Sequence, residues 1–298
     1  MRARRSVDRG RVKPAPFEYV RPATVGEVIE QLRTDDGAKL IAGGQSLVPL
    51  MAMRLARPTL LVDVNDLHLD TVTIDRESVR IGATTRHRRL EVDPGLRRAA
   101  PLLAEAAALI GHPAIRARGT IGGSLAHADP LAELPAVLVA TGGEVTVQGP
   151  GHERNIGAPD LFAGFLTTTL EPDEMIIDVR LPAAGPRHGA AFCEWAPRAG
   201  DFATAGIALV VERDDELRCV SARGAAIGVG SVPLDCSASL TMVIGETSAS
   251  DALLRDVSQR VRREVGGDPD PAELIGLLAA RAMRRAFARS ADAEDAAA

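Results

Sequence analysis

The chain has 298 residues, of which 46% are hydrophobic, and this length is enough for two domains of ordinary size. A formal net charge of -5 argues against a general nucleic-acid binder, because such proteins normally carry a basic domain. No window of 18 uncharged apolar residues occurs, so we expect no transmembrane segment and a cytoplasmic protein.

The first 13 residues, MRARRSVDRGRVK, are rich in arginine and poor in apolar side chains. Such a segment buries too little apolar surface to offset the entropy of ordering it. No apolar stretch follows Arg4 and Arg5, which excludes a twin-arginine export signal. We therefore predict a disordered basic arm over residues 1–13.

The first helix and the first glycine-rich loop follow in order. Thr24 and Glu27 have the spacing of a capping box, and the apolar residues behind them have helical periodicity, which predicts a helix ending near Asp35. Residues 39–42 are predicted to form a strand that ends in the sequence AGGQSLVP, residues 42–49. A short helix is expected over 50–56.

A second glycine-rich segment comes later. Strands are predicted at 59–64 and 79–83, and the alanine and leucine content of 96–110 predicts one helix ending at Gly111. Residues 116–133, RARGTIGGSLAHADPLAE, then place Gly122 and Gly123 after a short apolar element. Pro130 is expected to open a helix that runs to about Ala140.

The remaining pattern suggests a second, smaller domain. Strands are expected at 144–148 and 175–181, and the proline-rich residues 182–186 suggest an interdomain linker. Further strands are predicted at 204–212, 217–222 and 225–229, followed by helices at 250–265 and 271–288. The predicted division is a first domain over 14–183, a second over 187–290, and a disordered tail over 291–298.

Several familiar site motifs are absent. Neither glycine loop ends in the Gly-Lys-Ser/Thr of a Walker loop, Gly228 and Gly230 do not continue as a Rossmann fingerprint, and Ser46 lacks the flanking glycines of a hydrolase elbow. The three cysteines lie far apart without metal-ligand spacing, and the histidines are scattered. We therefore expect no metal site and assign no catalytic residue.

Two Gly-Gly pairs remain, each with a serine within two residues. Glycine lets backbone N–H groups converge on an anion, and the hydroxyls of Ser46, Thr120 and Ser124 add donors. Two such loops have the donors needed for the two phosphates of a dinucleotide. The alternative is that both pairs are ordinary tight turns.

Three segments together resemble the flavin-binding subunit of the molybdenum hydroxylases, the relatives of aerobic carbon monoxide dehydrogenase and xanthine dehydrogenase. They are AGGQSLVPLMAMRLARP (42–58), IGATTRH (81–87) and IRARGTIGGSLAHADPLAELPA (115–136). The likeness spans nearly the whole chain. It implies an α+β fold in which a two-part FAD-binding domain of the two-glycine-loop type precedes a smaller domain with an antiparallel sheet and helices.

The resemblance also implies which residues hold FAD. In that family both loops bind the pyrophosphate, an acidic residue reaches the ribityl chain, and an E-x-I turn flanks the isoalloxazine. The matching residues are Ala42, Gly43, Gly44, Gln45, Ser46 and Leu47 in the first loop, Thr120, Ile121, Gly122, Gly123 and Ser124 in the second, Glu133 with Asp129 as a second candidate acid, and Ile176 in Glu174-Met175-Ile176.

The resemblance also implies a separate role for each subunit of a complex. A molybdopterin-binding large subunit oxidises the substrate, a small subunit carries [2Fe-2S] clusters, and this chain passes electrons from FAD to NAD, a quinone or oxygen. Two alternatives stay open: a stand-alone FAD-dependent oxidoreductase of the same fold, and a scaffold subunit that has lost the flavin.

Some positions depart from the family pattern. Ala117 replaces the asparagine of the usual IRNRGTIGG, and Cys193 stands where some relatives have a lysine near the flavin. Asp201 belongs to an R-x-G-D-F-A signature, where it caps or braces the second domain. For His87, beside Arg86 and Arg88, a role in the site and a surface charge both stay open, and for His127 we expect a structural role.

Overall fold

The computed structural model describes residues 13–291. The predicted disordered arm and tail therefore fall outside the described residues, apart from their innermost positions. The strands are β1 (Glu18–Val20), β2 (Ala38–Ile41), β3 (Leu60–Asp63), β4 (Val72–Ile74), β5 (Ser78–Gly82), β6 (Glu144–Gly149), β7 (His152–Gly157), β8 (Phe162–Gly164), β9 (Thr167–Thr168), β10 (Met175–Pro182), β11 (His188–Trp195), β12 (Ala205–Arg213), β13 (Cys219–Ile227) and β14 (Leu234–Asp235).

The helices are α1 (Val25–Thr34), α2 (Leu47–Ala52), α3 (His87–Val92), α4 (Pro94–Ala99), α5 (Pro101–Leu109), α6 (Pro113–Arg116), α7 (Ile121–His127), α8 (Glu133–Thr141), α9 (Ala158–Leu161), α10 (Ser237–Leu240), α11 (Asp251–Val265) and α12 (Pro269–Ala291). Short 3-10 turns follow β3 and α10. The mixed helix and sheet content confirms the α+β class. In the described part of the chain, no helix is both long and apolar enough to cross a lipid bilayer.

The first sheet has three parallel strands in the order β1-β3-β2. Helix α1 packs its apolar face, Val28, Ile29 and Leu32, into the core beneath this sheet. The predicted capping box at the start of α1 is confirmed: the Thr24 hydroxyl accepts from the Glu27 amide, and the Glu27 carboxylate accepts from the Thr24 amide. Parallel pairing places the ends of β2 and β3 at one edge, where the first glycine loop begins.

The second sheet has five antiparallel strands in the order β4-β5-β10-β6-β7. Helix α8 is almost entirely buried, helix α5 is buried over about half of its residues, and both contribute to the same core as β5, β6 and β10. A two-stranded hairpin, β8 and β9, completes this part of the molecule.

The third sheet is antiparallel in the order β11-β12-β13-β14. Side chains of β11 alternate between its two faces. Ala191 and Cys193 join the core formed with α11 and α12, whereas Ala190 and Phe192 join the core that contains α5 and α8. This sheet is therefore sandwiched between the terminal helices and the preceding part of the chain.

Several predicted bounds were wrong. The helix expected over 96–110 is two helices, because Pro101 restricts the preceding residue, and Ala100 leaves the helical region at φ -141°. Residues 219–227 form one continuous strand where two were expected. The helix expected over 50–56 is α2, which starts at Leu47, and Pro130 lies in a turn before α8.

Candidate functional site

The first glycine motif is a tight loop between β2 and α2. Gly44 has φ +71°, a left-handed conformation that glycine adopts without strain. Within the described residues, none of the five backbone amides of 43–47 donates to a protein acceptor. Five consecutive N–H groups are thus available to a ligand in one short loop.

Polar side chains from outside the motif hold this loop in place. Asn65, which follows β3, donates from Nδ2 to the Ala42 carbonyl oxygen at 3.0 Å. Arg86 donates to Asn65 Oδ1 at 2.5 Å and to the Arg118 carbonyl oxygen. Asn65 and Arg86 were missed by the sequence analysis. One signal in the sequence could have identified Asn65. It lies two residues after β3, which runs parallel to β2, and the carboxyl ends of parallel strands lie at one edge of a sheet.

The two glycine motifs lie side by side. A Cβ atom on Gly43 would lie 2.3 Å from the Arg118 carbonyl oxygen and 2.8 Å from the Gly119 Cα. Only a residue without a side chain permits this approach of backbone to backbone. The sequence prediction had not included this contact.

The second motif is a helix N-terminus rather than a loop. Thr120 is the N-cap of α7, and its hydroxyl accepts from the Gly123 amide at 3.2 Å. The other amides at the start of α7 are also hydrogen-bonded: Ile121 to the Thr85 carbonyl, Gly122 to the Ala83 carbonyl, and Ser124 to the Thr120 carbonyl. This motif differs from the first, because its amides already have partners.

Glycine in the second motif serves close packing. A Cβ atom on Gly122 would lie 2.6 Å from the Ala83 Cβ. The Ala83 amide in turn donates to the Ile177 carbonyl of β10 at 2.9 Å. Through these contacts α7 lies against β10, the strand that contains Ile176.

His87 is buried, at 5% exposure, which excludes the alternative of a surface charge. Its ring packs under Gly119, where an added Cβ would lie 2.8 Å from the ring Cε1. Neither ring nitrogen makes a hydrogen bond of normal geometry, and burial lowers the pKa of His87 to about 4. The imidazole is therefore neutral at physiological pH and supports the second motif.

The segment after α7 contains the two candidate acids. The Asp129 carboxylate caps the turn by accepting from the Leu131 amide at 2.9 Å. Glu133 opens α8 and is 8% exposed. Burial raises the pKa of Glu133 to about 8, and the charges of Glu194 and Asp129 add to the effect.

The predicted E-x-I turn is braced by Glu174. The Glu174 carboxylate accepts from Arg154 at 2.7 Å and 2.8 Å, from the Glu171 amide at 2.8 Å, and pairs with His152. These bonds, those of Arg154 first, lower the pKa of Glu174 to about 2. Met175 and Ile176 are both buried, Met175 in the core with α1 and Ile176 in the core with α8.

The R-x-G-D-F-A signature forms a loop between β11 and β12. Gly200 packs on His112, and the Phe202 side chain is 70% exposed. Cys193 is buried within β11, with Arg285 donating to its Sγ at 3.5 Å. Ala117 lies directly after α6, and its backbone amide donates to the Pro113 carbonyl.

Three comparisons with known proteins agree on the family. A family model described as "FAD binding domain in molybdopterin dehydrogenase" matches residues 15–184. The 6-hydroxypseudooxynicotine dehydrogenase complex subunit alpha of Paenarthrobacter nicotinovorans is 38% identical over 291 residues, covering 94% of this chain and 97% of the relative.

Two further matches have similar coverage. Caffeine dehydrogenase subunit beta of Pseudomonas sp. (strain CBB1) is 34% identical over 94% of this chain and 97% of the relative. A solved chain of the carbon monoxide dehydrogenase from Hydrogenophaga pseudoflava that lacks the Mo-pyranopterin moiety of the molybdenum cofactor superposes with a TM-score of 0.87. It is 34% identical and covers 93% of this chain and 99% of that chain.

Proposed function

Because this chain belongs to the family of FAD-binding domains in molybdopterin dehydrogenases, we propose that it is the electron-transfer subunit of a molybdenum hydroxylase complex. It is an oxidoreductase subunit, and its cofactor is FAD. In the proposal, it receives electrons from the [2Fe-2S] clusters of a small partner subunit beside a molybdopterin-binding large subunit. NAD, a quinone or oxygen is the final acceptor.

The observation that carries the assignment of the site is the loop of residues 43–47. Its five free amides form the kind of donor array that binds a phosphate anion through backbone groups. The loop is fixed against Arg118 and Gly119, so the array is preformed rather than folded around the ligand. We assign the pyrophosphate of FAD to this array.

The second motif has a different part in the proposal. Its amides are paired within the protein, so α7 contributes shape and the positive end of a short helix rather than free donors. Gly122 is packed against Ala83, whereas Gly123 is exposed and leaves no side chain above the start of this helix. In the proposal, the first motif binds the anion through its backbone amides, and Gly123 of the second motif keeps the surface beside the anion open.

Bound FAD supplies the redox chemistry, and the protein supplies binding, orientation and a suitable electrostatic environment. The residues proposed for these tasks are the 43–47 amides for the pyrophosphate, Glu133 for polar groups of the ribityl chain, and the braced turn around Ile176 for the apolar ring. No side chain is needed as a general base.

The loop assignment is tested by Gly43→Ala. The added methyl group must displace the Arg118 carbonyl, and the loops then separate, so we expect FAD affinity to fall at least tenfold. Gly26→Ala is the matched control, because nothing lies within 4 Å of a Cβ there. Unchanged FAD binding by folded Gly43→Ala in a fluorescence titration would contradict the assignment.

The electron-transfer role is tested in the complex purified with its partner subunits. The [2Fe-2S] clusters are first reduced with a stoichiometric amount of dithionite, and electron paramagnetic resonance then follows them while NAD, a quinone and oxygen are offered in turn, before and after FAD is removed. We expect acceptor reduction to stop without FAD and to return when FAD is added. Equal rates without FAD would contradict the proposal, and bleaching of the isolated chain by substrate would favour a stand-alone oxidoreductase.

A further inference from the structure

Arg86 lies at the point where the two glycine motifs meet. Its guanidinium donates to the Arg118 carbonyl oxygen, and an added Cβ on Gly43 would lie 2.3 Å from that same oxygen. The guanidinium also donates at 2.5 Å to Asn65 Oδ1, and Asn65 in turn donates at 3.0 Å to the Ala42 carbonyl oxygen. Two short paths of contacts therefore lead from this side chain to the first glycine loop.

Arg86 has no carboxylate partner in the described part of the chain. Both acceptors of its hydrogen bonds are neutral groups. Asp63 and Asp70 attract its charge only at longer range, and the Asp63 carboxylate is already bound by Tyr19 and Asn65. The protein thus provides hydrogen-bond acceptors for this guanidinium, but no carboxylate that pairs with its charge.

The other arginines around α3 differ in this respect. Arg88 and Arg116 each lie 2.9 Å from the Glu91 carboxylate, and Arg89 lies 3.7 Å from the Asp93 carboxylate. Each of these three charges has an acidic partner within the protein. The charge beside the glycine motifs is different from its neighbours, although all of them belong to one short stretch of the fold.

A second arginine without a partner adjoins Arg86. The Arg118 side chain is exposed and makes no hydrogen bond or ion pair with the described residues. Burial and the positive charge of Arg118 both lower the pKa of Arg86. A guanidinium nevertheless stays protonated in proteins. The two charges therefore repel each other, and an anion bound beside them would relieve that repulsion.

We propose that Arg86 is a further FAD-binding residue, whose charge compensates the negative pyrophosphate held by the amides of 43–47. The inference deepens the proposed function and rests on it, because it takes the same loop as the pyrophosphate site. A guanidinium has more N–H groups than the two bonds to Asn65 and Arg118 use, so Arg86 can hold both motifs and still donate to a phosphate oxygen. Charge-assisted bonds of this kind are stronger than bonds between neutral groups.

The test separates the charge of Arg86 from its hydrogen bonds. Arg86→Gln removes the charge and keeps an N–H donor, whereas Arg86→Lys keeps the charge. Arg88→Gln is the matched control, because it removes a positive charge that already has Glu91 as its partner. Each variant is prepared as the complex with its partner subunits and freed of FAD. The FAD dissociation constant is then measured by fluorescence titration from about 20 to about 500 mM salt.

We expect Arg86→Gln to weaken FAD binding about tenfold at the lowest salt concentration and about threefold at the highest, because ions screen the charge that the variant lacks. Arg86→Lys should keep the salt dependence of the wild-type protein. Arg88→Gln should stay within about twofold of the wild-type protein throughout, since exposed ion pairs contribute little.

The salt dependence distinguishes a compensating charge from a bridge that only holds the motifs together. Folded Arg86→Gln that loses the same factor of affinity at every salt concentration would overturn the inference. Wild-type affinity in Arg86→Gln would also overturn it and leave the proposed function standing. Wild-type complex that binds no FAD would overturn both.

Chemical modification of the wild-type complex keeps the test valid if Arg86→Gln fails to fold. Phenylglyoxal reacts with arginine side chains, and mass spectrometry locates the modified positions. Bound FAD should slow the modification of Arg86 and leave that of Arg88 unchanged. Equal modification of Arg86 with and without FAD would overturn the inference.

Discussion

At the scale of single residues, the hydrogen-bond partners of backbone amides distinguish two motifs that look alike in the sequence. AGGQS and TIGGS each contain Gly-Gly before a serine, yet the amides of 43–47 have no acceptor within residues 13–291, whereas those of 121–124 are paired. Gly43 permits contact between the motifs, whereas Gly122 permits contact of α7 with Ala83. The same dipeptide therefore permits close packing in both motifs, and the motifs differ in whether their backbone amides have acceptors among the described residues.

Glu174 provides a prediction at this scale. Its side chain is 1% exposed and holds Arg154, His152 and the Glu171 amide. Glu174→Gln removes the charge that these donors bind, so we expect the free energy of unfolding to fall by about 2 to 3 kcal/mol at pH 7. Chemical denaturation of both proteins would measure the difference.

The pH dependence of that difference follows from its sign. The pKa of Glu174 is lowered in the folded state to about 2 from an ordinary value of 4.5. Its contribution is therefore complete above about pH 4.5 and is lost as the pH falls toward 2. The stability difference between wild type and Glu174→Gln should shrink over this interval. A difference that stays constant from pH 5 to pH 2.5 would contradict the assigned role.

At the scale of helices and strands, local signals predicted some elements closely. The capping box fixed the start of α1, and the bounds predicted for α11 and α12 agree with the structure to within a few residues. The division of α4 from α5 was missed, although the cause is local, because an alanine-rich stretch concealed the effect of Pro101 on its neighbour. Strands β1, β4, β7, β8, β9, β11 and β14 were also missed. Most of them are short, and all of them depend on partners that no local pattern identifies.

Local sequence signals predicted only part of the candidate site as well. The motifs placed Ala42 to Leu47 and Thr120 to Ser124 from the sequence, but they did not show that Thr120 caps a helix. Asn65 and Arg86 reach the site from other elements, and no local pattern connects them with a glycine loop. Contacts of this kind become visible only when the chain is folded.

Thr120→Ala tests the helix N-terminus as part of the site. Loss of the cap should destabilise the protein by about 1 kcal/mol and weaken FAD binding, because α7 begins beside the first loop. Ser250→Ala is the matched control: its hydroxyl caps α11 at the same 3.2 Å distance, in the C-terminal half of the chain. Thermal melts and FAD titration give the two readouts.

The control separates capping from cofactor binding. Ser250→Ala should lower the melting temperature by a similar amount and leave the FAD dissociation constant unchanged. Thr120→Ser, which keeps the hydroxyl, should resemble the wild-type protein in both measurements. Equal FAD affinity in Thr120→Ala and Ser250→Ala would show that the start of α7 is not part of the site.

At the scale of the whole molecule, Glu105 of α5 connects two parts of the chain, the part up to residue 183 and the part from residue 187 onward. Its carboxylate accepts from the Phe192 amide of β11 and forms ion pairs with Arg285 and Arg289 of α12, at 2.7 and 2.6 Å. The side chain is mostly buried, so these bonds are poorly screened by solvent. The predicted boundary near residues 183–187 stays a prediction, and this connection offers a way to test it.

Glu105→Gln should weaken the contact between the parts and destabilise the protein by about 2 kcal/mol, because two arginines lose their shared carboxylate. If 182–186 is a linker, the same substitution should speed proteolysis there before either part unfolds. Glu144→Gln, which removes a surface ion pair with Arg180, should cost less than about 0.5 kcal/mol and leave cleavage unchanged.

Limited proteolysis with mass spectrometry would locate the first cuts in each variant. Cleavage spread along the chain, with no preference for 182–187, would mean that the two parts unfold as one cooperative unit. Glu105 would then stabilise a single domain, and the predicted boundary would be wrong.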